Sequence, residues 1–153
     1  MKSRVILYLL LLLGAAASLT ADTSQFIGDW DSVTVAPMKT SIYVGSVSLA
    51  TGVFRREGDK FSTTYEAKVW PWFFWGETGK ITITLPHADL VKLSQGERVE
   101  FTGEAFNHKN KPRKVTGRAD RTDGAKGKIK VRISVDDTEL IFNGTYRLNN
   151  AVK

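Results

Sequence analysis

The stretch that decides the fold is Lys128-Ile129-Lys130-Val131-Arg132-Ile133-Ser134-Val135. Apolar and polar residues alternate along its whole length, which is the period of a β-strand with one face on a core and the other in solvent. The apolar members are therefore predicted to face inward. The three cations are predicted to form a basic row on the outside of the strand.

The same period recurs along most of the chain. Further strands are predicted over residues 42–49, 53–56, 60–69, 80–85, 97–106 and 138–148. A turn containing Gly58 joins the second and third of these into a hairpin. The related tetrapeptides at residues 102–105 and 116–119 indicate the two arms of another hairpin. Seven or eight short strands at regular spacing predict an all-β fold, a small antiparallel barrel or sandwich.

One segment has a helical pattern. Pro86 to Gly96 is long enough for one or two turns, with Asp89 near the predicted start and Gly96 just past the predicted end. An acidic residue suits the positive end of a helix dipole, and glycine suits the position after the last turn. We expect one short helix in an otherwise β-rich chain.

The N-terminus has the pattern of a secretory signal. Lys2 and Arg4 precede nine apolar residues, Val5 to Leu13, and small residues follow them. The apolar run is too short to span a bilayer, which takes about twenty residues. We expect a cleaved signal over residues 1–21 and a single exported domain over residues 22–153, periplasmic or secreted and soluble after cleavage. Because the chain has no cysteine, its stability must come from packing without disulfides.

Three of the four tryptophans fall in one short run, Trp70-Pro71-Trp72-Phe73-Phe74-Trp75. In an extended chain the aromatic side chains would point to both faces, and one core could not bury both sets. Pro71 cannot donate to a β-ladder, so the run belongs at an edge, bulge or loop. One interpretation is a core corner capped by the segment from Pro86 to Gly96. The other is an exposed platform for a lipid, glycan or protein, with the five aromatic residues as ligand-binding residues.

Basic residues are concentrated late in the chain. Residues 107–132 contain ten Lys and Arg and only two Asp, so this segment carries a net charge of +8, whereas the whole chain carries +6. It is either a solvated outer face with lysines protecting an edge strand, or an anion-binding surface for acidic envelope polymer or lipid headgroups. The candidate anion-binding residues are Lys109, Lys111, Arg113, Lys114, Lys128, Lys130 and Arg132. Nucleic acid is not expected, because aromatic stacking platforms do not alternate with these cations.

Residues that could carry catalysis are scarce. The chain has two histidines, and the fragment His87-Ala88-Asp89 lacks the further ligands that a zinc site needs. Nucleophile-elbow, phosphate-loop and dinucleotide-binding glycine motifs are absent. We therefore predict no catalytic residues, no metal and no cofactor, and regard an enzyme as the less favoured class.

Several segments together resemble a family of small exported bacterial proteins without assigned function. They are residues 65–69, 99–103, 127–131 and 140–147, and the resemblance extends over most of the chain after the signal. It implies no catalytic role. Residues 101–103 with residues 111–115 are similar to one hairpin of the lipocalin-like polyisoprenoid-binding family of periplasmic proteins. That second similarity implies a barrel that holds a lipid.

The sequence thus favours a non-enzymatic binding or envelope-associated module with a hydrophobic or lipid-like ligand. Two alternatives remain open, a hydrolase or other enzyme acting on envelope glycans, and a structural subunit that assembles through an edge strand. The oligomeric state is not predicted.

Overall fold

The computed structural model describes residues 30–150, which form an antiparallel β-sheet closed into an eight-stranded barrel. The predicted signal over residues 1–21 lies outside the described residues. The strand segments are β1 (Ser32–Val35), β2 (Met38–Ile42), β3 (Gly45–Thr51), β4 (Phe54–Glu57), β5 (Lys60–Trp70), β6 (Glu77–Thr84), β7 (Val99–Asn107), β8 (Pro112–Asp123), β9 (Lys126–Val135) and β10 (Thr138–Asn149). One helix, α1 (His87–Ser94), connects β6 to β7.

Ten segments give eight strands because two strands are interrupted. β1 and β2 form one of these and β3 and β4 the other, since β1 pairs with β4 and β2 pairs with β3. Pro37, between β1 and β2, has no backbone N–H to continue a ladder. Each strand then pairs with its neighbour in sequence, and β10 pairs with β1 to close the barrel. The structure therefore selects the barrel over the sandwich.

The up-and-down topology sorts the connections into two ends. We call one the aromatic end; it carries residues 43–44, 71–76, 108–111 and 136–137, which connect β2 to β3, β5 to β6, β7 to β8 and β9 to β10. The other, the helix end, carries α1 and the turns that follow β4 and β8. The aromatic run and the tip of the basic hairpin therefore lie at the same end of the barrel.

The core fills the barrel and continues under α1. The most deeply buried side chains are Phe61, Phe142, Leu90, Leu93 and Val115. Leu90 and Leu93 come from α1, whose apolar side closes the helix end. The predicted short helix is confirmed, and its role is to cover the barrel opening.

The faces predicted for the deciding strand are confirmed. In β9, Val131 and Ile133 are buried, and Ile129 is half-buried at the interior cavity. On the other face, Lys128 and Arg132 are exposed and Lys130 is half-buried. The repeated tetrapeptides are also confirmed as arms of one hairpin, because β7 pairs with β8 in a register that places Thr102 opposite Thr116.

One predicted strand is wrong at its start. Residues 42–49 were expected to be continuous, but the chain turns at Tyr43 and Val44, and β3 begins at Gly45. This turn brings Gly45 so close to β5 that an added Cβ would collide with the carbonyl of Trp70. The segments β1 and β2 were not predicted, since each has five residues or fewer and Pro37 interrupts them.

Candidate functional site at the aromatic end

The aromatic run forms a compact loop. β5 ends at Trp70, Phe73–Trp75 makes a single 3-10 turn, and β6 begins at Glu77. Trp75 N–H donates to the Trp72 carbonyl at 2.9 Å, which fixes the turn. The alternation of faces expected for an extended chain therefore does not apply here.

All five aromatic side chains of this loop are exposed, with accessible fractions between 40 and 78%. They contact one another: the ring centroids of Trp72 and Trp75 are 5.7 Å apart, and those of Phe74 and Trp75 are 5.6 Å apart. The core-corner interpretation is wrong, because α1 lies at the opposite end of the barrel and cannot cap the loop. The predicted ligand-binding residues thus form one surface cluster.

Two neighbouring turns extend this surface. Tyr43 and Val44 are exposed on the β2–β3 turn, which lies beside the loop because Ser46 pairs with Trp70. We define the aromatic patch as the five aromatic residues of the loop together with Tyr43 and Val44. On the other side, His108 N–H donates to the Thr78 carbonyl at 2.7 Å and holds the β7–β8 turn against β6.

That second turn carries Lys109 and Lys111, both exposed. The Asn107 side-chain carbonyl accepts hydrogen bonds from the backbone N–H groups of both lysines, at 3.0 and 2.9 Å. This bonding fixes the turn while leaving the ammonium groups in solvent. The aromatic patch is therefore flanked by two cations.

A buried polar cluster lies beneath the patch, inside the barrel. The Glu77 carboxylate accepts hydrogen bonds from the Tyr65 hydroxyl at 2.8 Å, from Asn107 Nδ2 at 3.0 Å and from Arg113 Nη2 at 3.1 Å. Arg113 Nη1 also donates to Asp136 Oδ1 at 3.0 Å. These bonds join β5, β6, β7 and β8 to the β9–β10 turn and close the aromatic end.

The cluster shifts the pKa values of its members. Burial raises the pKa of Glu77, but hydrogen bonds from Arg113, Asn107 and Tyr65 outweigh burial, so this pKa lies below its usual value. Burial and the hydrogen bond to Glu77 raise the pKa of the Tyr65 phenol. The cluster therefore holds an ionised carboxylate, a cation and a neutral phenol at neutral pH.

The prediction that Arg113 belongs to the exposed anion-binding surface is wrong. It was expected beside exposed lysines, but its side chain points into the barrel, is 8% exposed and pairs with Glu77. The sequence pattern could have predicted this orientation. Arg113 is on the same face of β8 as the buried residues Val115 and Ala119, because successive side chains of a strand alternate between its faces. Glu77 likewise shares the inward register of Ile81. Sequence reasoning missed both because it treated charged residues as solvent-facing.

The remaining predicted cations fall into two separate groups. Lys109 and Lys111 lie at the aromatic end. On the barrel wall, Lys114 of β8 and Lys128, Lys130 and Arg132 of β9 point outward. The structure therefore divides the predicted anion-binding surface into a tip and a wall.

The barrel interior offers little space. Two apolar cavities of about 70 and 30 Å³ share Leu49 and Ile81 as lining residues. Sites for drug-sized ligands usually enclose about 300–1,000 Å³. Both cavities are smaller than that range, and the Thr51 and Tyr146 hydroxyls at the larger one have no hydrogen-bond partner among the described residues.

Residues 30–150 contain no group of three or more potential metal ligands. His87 and Asp89 lie in the first turn of α1, where the Asp89 carboxylate accepts a hydrogen bond from Lys92 at 3.2 Å. Over the same residues, no helix has the length and apolar character needed to cross a bilayer.

Comparison of the chain with known protein families, with curated proteins and with solved structures gives no match. The resemblances described from the sequence therefore stay predictions.

Proposed function

We propose that this protein is a non-enzymatic, envelope-associated module that binds a lipid surface through its aromatic patch. The observation that carries the proposal is the exposure of all five aromatic side chains of residues 70–75, with Tyr43 and Val44 beside them. The N-terminal pattern of charged, apolar and small residues supports export. A lipid surface outside the cytoplasm would then be the partner.

The composition of the patch suits a bilayer interface. Tryptophan and tyrosine concentrate where headgroups meet acyl chains, because their rings are apolar and their N–H or O–H groups remain hydrated. Phe73 and Phe74 are the most exposed residues of the loop and are the side chains best placed to enter the acyl region. Soluble proteins rarely leave such a contiguous apolar surface uncovered without an interaction that uses it.

Charge favours an anionic surface. Lys109 and Lys111 flank the patch, and within residues 30–150 neither ammonium group forms an ion pair. A basic residue close to an anionic leaflet contributes about 1 kcal/mol of attraction, which falls off within a Debye length of the surface. We therefore expect stronger binding to vesicles that contain phosphatidylglycerol than to phosphatidylcholine alone.

Binding at the surface agrees better with the structure than storage inside the barrel. The larger internal cavity is only about 70 Å³, and the Glu77–Arg113 cluster closes the aromatic end above the smaller one. The closed sheet also gives little support to assembly through a long free edge strand.

Co-sedimentation with vesicles tests the proposal. The native protein should bind mixed phosphatidylcholine and phosphatidylglycerol vesicles, and the double variant Phe73→Ala/Phe74→Ala should bind more than about tenfold more weakly, since each phenylalanine contributes about 1.5 kcal/mol or more when buried. Val53→Ala is the matched control, because Val53 is an exposed apolar residue outside the aromatic end.

Unchanged binding of the double variant, or equal weakening by Val53→Ala, would contradict the proposal. A different result would be a native protein that does not bind vesicles and sediments as a dimer, while Phe73→Ala/Phe74→Ala sediments as a monomer. That result would identify a second copy of the chain, and not a lipid surface, as the partner of the aromatic patch.

A further inference from the structure

A second candidate site lies on the outer wall near the helix end. A groove of about 550 Å³ runs over β7, β8 and β9, with Asp89 of α1 at one side. Three cations line it: Arg118, Lys130 and Arg132. The groove is on the wall and toward the helix end, so it does not overlap the aromatic patch.

Two of these cations face each other across a ladder. Arg118 and Lys130 are directly opposite in the β8–β9 ladder, and both are half-buried. Like charges in directly opposite positions of a sheet are destabilising. Within residues 30–150, neither side chain forms an ion pair or a hydrogen bond. On its other side, Arg118 is directly opposite Glu100 in the β7–β8 ladder, so this carboxylate offsets part of the repulsion.

The third cation adds to the same side of the groove. Arg132 is two residues along β9 from Lys130, a spacing of about 7 Å on a strand. Its guanidinium lies 3.5 Å from the Glu139 carboxylate, and both side chains are about half exposed, so this pair is weak. Counted with the carboxylates of Asp89 and Glu100, the three cations leave the lining of the groove with a formal charge of +1.

The floor of the groove is suited to hydroxyl groups. Thr102 and Thr116 are opposite each other in the β7–β8 ladder, and both line the groove. Glu100 supplies a carboxylate that can accept hydrogen bonds from a polyol. Short polar side chains beside strong cations offer donors for an anion and partners for hydroxyls within one site.

We propose that this groove binds a phosphate-bearing polyol or glycan. Arg118 and Lys130 would contact a phosphate, to which arginine and lysine donate strong charge-assisted hydrogen bonds. Glu100 and the two threonines would hold the adjacent hydroxyls. An anion between the two cations would also reduce the repulsion between them, and this reduction would add to the free energy of binding.

Titration calorimetry with a short poly(glycerol phosphate) oligomer tests this inference. The native protein should bind the oligomer, and Arg118→Gln/Lys130→Gln should lower the affinity at least tenfold. The same double variant should change the melting temperature little, because it removes both the like-charge pair and the opposite-charge pair of Arg118 with Glu100. Lys114→Gln is the matched control: Lys114 is an outward cation of β8 that lies outside the groove and opposite Glu104.

A native protein that does not bind the oligomer, or a double variant that binds as well as the native protein, would overturn the inference. An equal loss of affinity in Lys114→Gln would show that the oligomer responds to the overall positive charge of the surface and not to a defined site. Equal affinity for a polygalacturonate oligomer would show that phosphate is not the recognised group.

Discussion

Glu77 and Arg113 form a two-point ion pair inside the aromatic end of the barrel, with Arg113 Nη2 3.1 Å from Oε2 and Arg113 Nε 3.4 Å from Oε1 of the carboxylate. Glu77 follows Trp75 by two residues, so the pair anchors the start of β6 directly after the exposed loop. The hydrogen-bonded cluster around Glu77 and Arg113 thereby fixes the base of the aromatic patch, whose side chains are exposed and do not pack into the core.

Removing one partner should leave an uncompensated charge in the barrel. We expect Arg113→Met to lower the free energy of unfolding by about 3 kcal/mol, the lower end of what breaking a buried ion pair costs. Arg132→Met is the control, because the pair it breaks is half exposed and worth about 0–1 kcal/mol. Urea unfolding measures both. Equal losses would show that the Glu77–Arg113 pair does not stabilise the barrel.

The double variant Glu77→Leu/Arg113→Met separates charge from packing. Replacing both members of a buried pair with apolar residues is often neutral or stabilising. We therefore expect the double variant to be more stable than Arg113→Met alone. A double variant less stable than either single variant would instead indicate that packing in this cluster dominates.

The lowered pKa of Glu77 predicts acid sensitivity. A carboxyl group whose pKa is lower in the folded state adds stability above its unfolded pKa, close to 4.5, and that stability is lost as the pH falls through the folded value. Unfolding experiments between pH 7 and pH 3 should show this loss in the native protein. Glu77→Gln should be less stable at pH 7 and show a shallower decline with acid. An identical pH profile in both proteins would contradict the assignment.

An aspartate introduced on the inner face of β9 should destabilise the protein far more than one introduced on its outer face. Val131→Asp places a charge in the core and should cost more than 3 kcal/mol, whereas Lys130→Asp should cost about 0.5 kcal/mol or less, because it gives Arg118 an opposite charge across the ladder. Thermal unfolding compares the two variants. Similar destabilisation by both would mean that the faces of β9 are assigned wrongly.

Strict alternation let the sequence predict much of this fold. The strand from Lys128 to Val135 permits one register only, since a shift by one residue would bury three cations. The helix α1 (His87–Ser94) was predictable within the segment from Pro86 to Gly96, because the spacing of its apolar residues and the residues at its two ends indicate the same element. The barrel closure was not predictable, because it depends on pairing β10 with β1, more than a hundred residues apart, and β1 has only four residues.

The candidate site was predicted in part. The aromatic run was recognisable from composition, but its exposure was not, because large aromatic residues are more often buried. Whether they are buried depends on which element covers the loop, and the topology puts α1 at the other end. The groove cations were recognisable as a row on β9, whereas the contribution of Arg118 required the β8–β9 register.

Trp72 and Trp75 were expected on opposite faces, one in the core and one exposed. In the structure both are exposed and their rings contact each other at a tilt of 35°, so Trp72→Ala and Trp75→Ala should each change the melting temperature little. A core tryptophan would cost about 3–5 kcal/mol. Both variants should weaken vesicle binding. A sharp loss of stability in either one would place that ring in the core.

Fluorescence quenching by brominated phosphatidylcholine tests the central claim most directly. Two variants each keep one tryptophan and replace the other three with phenylalanine, one keeping Trp75 in the aromatic patch and one keeping Trp30 at the helix end. With vesicles that contain brominated acyl chains and phosphatidylglycerol, we predict strong quenching of Trp75 and none of Trp30. Quenching of Trp30 alone, or of neither, would contradict docking through the aromatic end.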